Sequence, residues 1–173
     1  MAKADTFFLR TNLTTSGTSY VSDNIDISAY VDPTEGKVLV VDRGFCVFST
    51  DGQGAIIPAD IGSGADSKQF SAQACTENHT TLAQLDDNSL FMKVQLYAGT
   101  VTGPEYSFAP MTEEIMNPAD YVNGFIVPTN QIHVGVQTGS AWAAELDCGW
   151  VFEVHTETLT LAETQKLLVS LTA

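Results

Sequence analysis

Residues 89–97, SLFMKVQLY, decide the fold class because their side chains alternate in character. The alternation divides the stretch into two sets: Leu90, Met92, Val94 and Leu96 on one face, and Phe91, Lys93, Gln95 and Tyr97 on the other. A period of two residues is typical of a β-strand that buries one face. We therefore predict a half-buried strand here.

The same period recurs further along the chain. In QIHVGVQT, residues 131–138, the side chains of Ile132, Val134 and Val136 should point inward. The stretch CGWVFEVHTETLTL, residues 148–161, again has two faces: Trp150, Phe152 and Val154 inside, and Val151, Glu153, His155 and Glu157 outside. Both stretches predict strands with one wet side.

The stretch KVLVVDRGFCVFST, residues 37–50, is too long for one flat strand. Because it contains Gly44, we predict a bend or a β-bulge within it. Shorter strands are predicted in four other segments: 6–13, 24–31, 68–76 and 121–127. Turn-forming clusters such as DPTEG and LDDNS separate these segments.

Helix signals are few. Thr160 and Glu163 have capping-box spacing, and Leu167, Leu168 and Leu171 can line one face, which predicts a short C-terminal helix. The segment 111–120, MTEEIMNPAD, is interpreted as a helical turn that stops before Pro118. Residues 1–173 are thus expected to form a single all-β domain, an antiparallel β-sandwich of eight or nine strands.

The charge of the chain limits its partners. Seven basic residues stand against 21 acidic ones, a formal net charge of −14. Direct nucleic-acid binding is not expected, because phosphate contact depends on clustered cations. Assembly of such subunits must overcome repulsion through apolar contact, salt screening or bound cations. The first residues lack a signal-peptide pattern and no long apolar run follows, so we expect neither secretion nor a membrane span.

Cys46, Cys75 and Cys148 form an odd set without a close pair. We interpret them as reduced, buried thiols and not as a disulfide framework. His79, His133 and His155 lack zinc-site spacing. His133 and His155 fall on polar strand faces and could meet across a sheet, but we expect exposed histidines without a ligand role.

No pattern for catalysis is evident. GxSxG is missing, and DGQG precedes a strand-like segment, whereas phosphate cradles need a following helix. We expect no enzyme, no catalytic residue and no cofactor. A structural calcium ion is the alternative left open by a group of acidic and amide side chains: Asp86, Asp87 and Asn88, with Asp51, Asp60 and Asp66 in other loops. Their spacing does not match an EF-hand, and turn capping is the simpler interpretation.

Aromatic residues offer candidate contact surfaces. Trp142 lies in the loop TGSAWAAELDCG and, with Tyr106 and Phe108, is our candidate for an interface. The loop could equally cover the domain's own core. The aromatic side chains also leave open a second function, a carbohydrate- or ligand-binding β-sandwich module: Trp142, Trp150, Tyr97, Tyr106 and Tyr121 could stack against sugars.

Three stretches together resemble a family of viral proteins. They are residues 24–49, with a polar lead-in before a long apolar strand; residues 117–141, with an IVP step and an IxVxV strand; and residues 148–168, which run through TLTL into a capped helix. In strand order and style they are similar to the single vertical jelly-roll major capsid proteins of tailless icosahedral viruses that infect bacteria and archaea.

This resemblance implies a fold and a role. The fold would be a single jelly roll of about eight strands with a short C-terminal helix. The chain would be a capsid subunit in the virion, assembled in the host cytoplasm with copies of itself and other capsid proteins. The missing basic arm fits a shell that lies next to an inner viral membrane. Cupin-type enzymes share the jelly roll, but three dispersed histidines do not provide their metal site.

Overall fold

The computed structural model describes residues 6–15, 17–50, 54–61, 66–100 and 111–171. Nine strands, two α-helices and one 3-10 turn lie within these ranges. The strands are β1 (Phe7–Thr15), β2 (Val21–Asp26), β3 (Lys37–Thr50), β4 (Asp66–Cys75), β5 (Leu90–Thr100), β6 (Met111–Met116), β7 (Phe125–Val127), β8 (Gln131–Thr138) and β9 (Leu146–Thr158). The helices are α1 (Pro58–Ile61) and α2 (Leu161–Leu171), and the 3-10 turn spans Pro118–Asp120.

The strands form two antiparallel sheets. The order in the four-stranded sheet is β1-β9-β3-β7, and in the five-stranded sheet it is β2-β8-β4-β5-β6. Strands from the two halves of the chain pair in mirror order, β1 with β9, β2 with β8, β3 with β7 and β4 with β5. A long antiparallel ribbon that is folded over in this way is a jelly roll, here with β6 added at one edge. The predicted fold class is confirmed.

The core lies between the two sheets. Its largest fully buried side chains are aromatic, with Trp150 and Phe152 from β9 and Phe70 and Phe91 from the opposite sheet. Burial of each such side chain contributes roughly 1.5–3 kcal/mol. The alternating faces predicted for 131–138 and for Trp150, Phe152 and Val154 are confirmed.

β3 carries the predicted irregularity, but two residues before Gly44. The register with β9 shifts between Val41 and Arg43, which places the extra residue at Asp42. Before the shift four successive residues are buried, and after it the strand alternates regularly. Gly44 has a different reason to be glycine: a Cβ there would lie 2.4 Å from the Met92 sulfur.

The prediction of a wet face on β5 is wrong for its first half. A register shift between Ala74 and Cys75 of β4 leaves one residue of β5 extra, so Phe91 and Met92 both enter the main core. Leu90 turns to the opposite side, where it packs with Cys75 in a small second cluster. The loop 76–89 covers that side of the sheet, and the Lys93 ammonium donates a hydrogen bond to the Ala83 carbonyl at 2.7 Å.

In two other segments the structure differs from the sequence interpretation. Residues 111–120 are not a helical turn before Pro118: residues 111–116 form edge strand β6, and the 3-10 turn begins at Pro118. The strand predicted at 24–31 runs from Val21 to Asp26, after which a turn begins. β6 pairs with β5, the strand before it, whereas β2 is held by β8, which is distant in sequence.

The C-terminal helix α2 is confirmed. The Thr160 amide and hydroxyl both donate to the Glu163 carboxylate, at 2.9 and 2.6 Å, and the Glu163 amide returns a bond to the Thr160 hydroxyl. This is the reciprocal capping box that the spacing predicts. Across the described ranges, no helix has the length and apolar character needed to cross a bilayer.

Candidate assembly surface

The outer face of the four-stranded sheet carries side chains in rows across β1, β9 and β3. One row joins Phe8, Glu153 and Arg43, and the next joins Arg10, Val151 and Phe45. A third row joins Asn12, Gly149 and Val47. We call Phe8, Arg10, Arg43, Phe45, Val47 and Val151 the outer patch.

The outer patch is apolar and open to solvent. Phe8 is 51%, Phe45 48% and Val47 64% exposed. Gly149 has no side chain between Asn12 and Val47, so the centre of the third row is flat. Grouped, exposed apolar side chains of this kind mark interaction sites more often than isolated ones do, because covering them releases water from apolar surface.

Two of the chain's seven basic residues lie in this patch. The Arg10 guanidinium sits 5.8 Å from the Phe8 ring centre, within cation–π range. Arg43 Nε lies 3.0 Å from a Glu153 carboxylate oxygen, in a pair that remains accessible to water and is worth little in stability. The outer patch thus holds two basic side chains, one of them beside Glu153, on a molecule whose net charge is −14.

Beyond Asp42, the same face of the four-stranded sheet is no longer open to solvent. His155 lies there beside Val40, and it is buried although the sequence predicted an exposed position. Its Nδ1 is 2.8 Å from Asp42 and its Nε2 is 3.2 Å from Glu157. Burial alone would lower the pKa of His155, but the hydrogen bonds to the two carboxylates outweigh it and raise the pKa. The extra residue at Asp42 thus supplies a partner for the imidazole.

His133 and His155 do not meet, because β8 and β9 belong to different sheets. His133 instead lies near His79, and burial followed by that neighbour lowers its pKa. His79 Nε2 is 2.9 Å from the Ser89 hydroxyl, which itself donates to Asp87 at 2.6 Å.

This Ser–His–Asp group is not arranged for catalysis. Asp87 lies 3.6 Å from the same histidine nitrogen that faces Ser89, whereas a triad carboxylate must orient the base through its other nitrogen. Ser89 is also buried. Burial, together with the nearby Asp87 carboxylate, raises the pKa of the adjacent Cys75 thiol to about 12, so it is not a nucleophile either. The group joins the first part of the loop 76–89 to its last residues.

The candidate interface residues are placed differently from one another. Trp142 is only 8% exposed and belongs to the main core, so its side chain covers part of the core of the sandwich. It offers little surface to a partner, so its role in a contact stays a prediction. Tyr106 and Phe108 lie outside the described residues.

The candidate calcium ligands are also dispersed. Asp60 accepts a hydrogen bond from the Ile57 amide at 2.7 Å, and Asp87 accepts from Ser89, so both act as turn acceptors. Asp51 lies outside the described residues. Within the described ranges, no three His, Cys, Asp or Glu side chains converge as metal ligands.

A shallow groove opens on the surface near the edge of the five-stranded sheet. It has a volume of about 650 Å³ and lies at the end of β4 and β5, lined in part by Gln69, Tyr97, Met111 and Gly139. Tyr97 is the one aromatic side chain among its described lining residues. A single ring is a limited platform for sugar stacking.

Sequence reasoning missed the outer patch, although a signal was present. In TFFLRTNL and RGFCVFST, the same period of two that points Leu9 and Cys46 inward points Phe8, Phe45 and Val47 away from the core. Large apolar residues on the face that alternation assigns to water were the available clue.

No protein-family model matches the chain, and no curated protein matches its sequence. Among solved structures, polyomavirus VP1 capsid proteins have backbones that superpose on this chain in part. VP1 of Trichodysplasia spinulosa-associated polyomavirus, solved in complex with sialylated precision glycooligomers, is 8% identical with a TM-score of 0.43, over 88% of this chain and 95% of that chain.

Two unassembled VP1 pentamers overlap similarly. That of KI polyomavirus is 10% identical with a TM-score of 0.41, over 82% of this chain and 74% of that chain. That of Merkel cell polyomavirus is 7% identical with a TM-score of 0.40, over 87% and 96%. At these identities and TM-scores the overlap leaves function open, and the jelly-roll assignment follows from the strand order of this chain.

Proposed function

We propose that this chain is a structural subunit of a viral shell that associates with copies of itself and with other capsid proteins into an icosahedral particle. The observation that carries the proposal is the outer patch, a cluster of exposed apolar side chains on a jelly-roll sheet. The sequence resemblance to single jelly-roll capsid proteins of bacterial and archaeal viruses supports the same role.

The partner of the outer patch is a second copy of this chain. Arg10 and Arg43 give the patch a positive character, while the rest of the molecule is strongly acidic. The outer side of β6 matches it in chemistry, since Met111 is exposed beside Glu113. A patch that contacts a different surface on the next copy makes a heterologous contact, which generates rings or extended arrays.

Salt should favour this association. Each copy carries a net charge of −14, so repulsion between whole molecules exceeds the attraction of the one or two Arg–Glu pairs at a contact. Added salt screens both, and the apolar contact remains. We therefore expect association to increase with ionic strength.

A matched pair of valine substitutions tests the contact. Val47→Glu places a charge in the outer patch, whereas Val122→Glu places the same charge at a residue that is 99% exposed near the 3-10 turn. Loss of the buried valine surface alone corresponds to roughly 1–2 kcal/mol, or about a 5- to 30-fold weaker contact. Desolvation of the glutamate adds to that loss.

The measurement is molar mass by light scattering across ionic strength, calcium concentration and protein concentration, with electron microscopy of large species. We expect wild type and Val122→Glu to associate and Val47→Glu to remain smaller. A wild-type chain that stays monomeric throughout would refute self-association. A glycan screen would then test the ligand-binding alternative at the groove beside Tyr97.

A further inference from the structure

Cys46 and Cys148 lie side by side in the four-stranded sheet. Cys46 is opposite Trp150 and Cys148 is opposite Phe48, so the two cysteines are diagonal neighbours on β3 and β9. Their sulfur atoms are 3.1 Å apart. Both belong to the inner side of the sheet, Cys148 in the main core and Cys46 packed against it.

The geometry brings the sulfur atoms close to bonding distance. Diagonal neighbours in a regular ladder are about 7–8 Å apart at Cα, slightly beyond the usual span of a disulfide. The observed sulfur separation shows that the two side chains turn towards each other across this diagonal. A disulfide bond of about 2.05 Å requires an approach of roughly one further ångström.

We propose that Cys46 and Cys148 form an intramolecular disulfide that joins β3 to β9. The sequence predicted reduced thiols because the three cysteines form an odd set without a close pair, and no local spacing reveals this pairing. Cys75 is not a competitor in the folded chain, because it lies in the other sheet and in the second cluster.

The oxidant would be a low-molecular-weight disulfide such as oxidised glutathione. Cys46 is the more accessible thiol, and its thiolate attacks one sulfur of the oxidant to form a mixed disulfide and release one thiolate. The Cys148 sulfur, after losing its proton, then attacks the Cys46 sulfur and expels the second glutathione thiolate. The two cysteine protons end on the two released thiols, so two cysteines are oxidised and one small disulfide is reduced.

Burial of Cys148 slows the second step, but it does not destabilise the disulfide that forms. Cys148 is fully buried, and this burial, with the neighbouring Cys46, raises the pKa of its thiol. Few thiolates are present at neutral pH, so closure should be faster at alkaline pH. Once formed, the bond is reduced slowly, because the same packing limits the access of reductants.

The bridge would stabilise the sheet that carries the outer patch. Cys46 lies between Phe45 and Val47, and Cys148 precedes Gly149. A cross-link between residues about 100 apart in sequence restricts the unfolded chain strongly. We expect the oxidised chain to melt roughly 5–15 °C above the reduced chain, with the gain reversed by dithiothreitol.

The experiment compares the full chain after exposure to oxidised glutathione and after exposure to dithiothreitol. Denaturation with an alkylating agent, followed by mass spectrometry, counts the remaining thiols and identifies linked peptides. The expected product has lost two hydrogen atoms, keeps one alkylated cysteine, Cys75, and yields a Cys46–Cys148 linked peptide.

Four variants separate this pairing from other oxidation. Cys75→Ser should still close the bridge and gain the same melting shift, whereas Cys46→Ser should lose both. Cys148→Ser should also lose both, but it introduces a hydroxyl into the core, which can prevent folding. If that variant does not fold, Cys46→Ala, which adds no polar group, replaces it as the second test. Three alkylated thiols after oxidation of the wild type, or a linked peptide that contains Cys75, would overturn the proposal.

Discussion

The side chain of Asn117 hydrogen-bonds both backbone groups of Gly44. Its Oδ1 accepts from the Gly44 amide at 3.2 Å, and its Nδ2 donates to the Gly44 carbonyl at 2.7 Å. β7 pairs with β3 only at residues 39–41, so Asn117 continues the pairing of β3 beyond the end of that short strand. The same Nδ2 also donates to Glu114 of β6 at 2.8 Å, which links the edges of the two sheets.

Asn117→Ala should therefore destabilise the protein by roughly 2–4 kcal/mol, because it leaves a buried amide and a buried carbonyl without partners. Urea unfolding followed by tryptophan fluorescence gives the free energy. Asn24→Ala, at an exposed position of β2, should change it by less than about 0.5 kcal/mol. Equal effects of the two substitutions would contradict this role of Asn117.

Gln73 fastens the loop 76–89 from beneath. Its Oε1 accepts from the Ala83 amide at 2.7 Å, and its Nε2 donates to the Thr81 carbonyl and the Tyr20 hydroxyl at 3.2 and 2.9 Å. We expect Gln73→Met to cost roughly 2–4 kcal/mol, since the buried Ala83 amide and two partly buried groups lose a partner. Hydrogen exchange should show faster exchange in the loop before the sheets are affected.

The matched control for Gln73 is Gln137→Met. Gln137 makes one exposed hydrogen bond, from Nε2 to the Thr18 carbonyl at 3.3 Å, so its loss should cost less than about 1 kcal/mol. Unchanged exchange in residues 76–89 of Gln73→Met would show that other contacts hold the loop.

Gly36 sits where no side chain fits. Its φ is +76°, and an added Cβ would lie 2.1 Å from the Leu159 carbonyl oxygen. The Gly36 carbonyl also accepts from the Leu159 amide at 2.8 Å, so the turn before β3 and the start of the terminal helix are held together. Gly36→Ala should lower the melting temperature by roughly 5–12 °C.

Gly17→Ala is the control for this glycine, because nothing lies within 4 Å of its ideal Cβ and its φ is not positive. It should leave the melting temperature within about 2 °C of wild type. A similar loss in both variants would mean that chain flexibility, and not the close approach to Leu159, sets the effect.

The strands and their inner faces were accessible from sequence because alternation is a local signal. Ile132, Val134 and Val136 point inward as predicted, and the capping box at Thr160 starts α2. The errors arise where one extra residue changes the face. The shift at β4–β5 buries Phe91, and the shift at Asp42 gives His155 a partner.

Contacts between residues distant in sequence could not be predicted in this way. Cys46 and Cys148 become neighbours only once β3 pairs with β9, and Asn117 reaches Gly44 from 73 residues away. The outer patch could be predicted only in part. Alternation assigns Phe8 and Phe45 to the outer face, but only the strand order places them in adjacent rows.

His155 makes stability depend on pH, and the direction follows from its two carboxylate partners. Because its folded pKa is raised above the unfolded value, the folded state binds the proton more tightly. The resulting stabilisation is complete below the unfolded pKa of about 6.5 and is lost as pH rises through the folded value. Replacement by glutamine should therefore cost more stability at about pH 5.5 than at about pH 8.5.

His133 should show the opposite slope, which makes His133→Gln the informative companion. Burial, and after it the nearby His79, lowers the pKa of His133, so its protonation opposes folding as pH falls. The glutamine variant should thus lose less stability, relative to wild type, at about pH 5.5 than at about pH 8.5. Urea unfolding of wild type and both variants at the two pH values gives the comparison, in which other titrating groups cancel. Slopes of the same sign would mean that Asp42 and Glu157 do not hold the charged imidazole of His155.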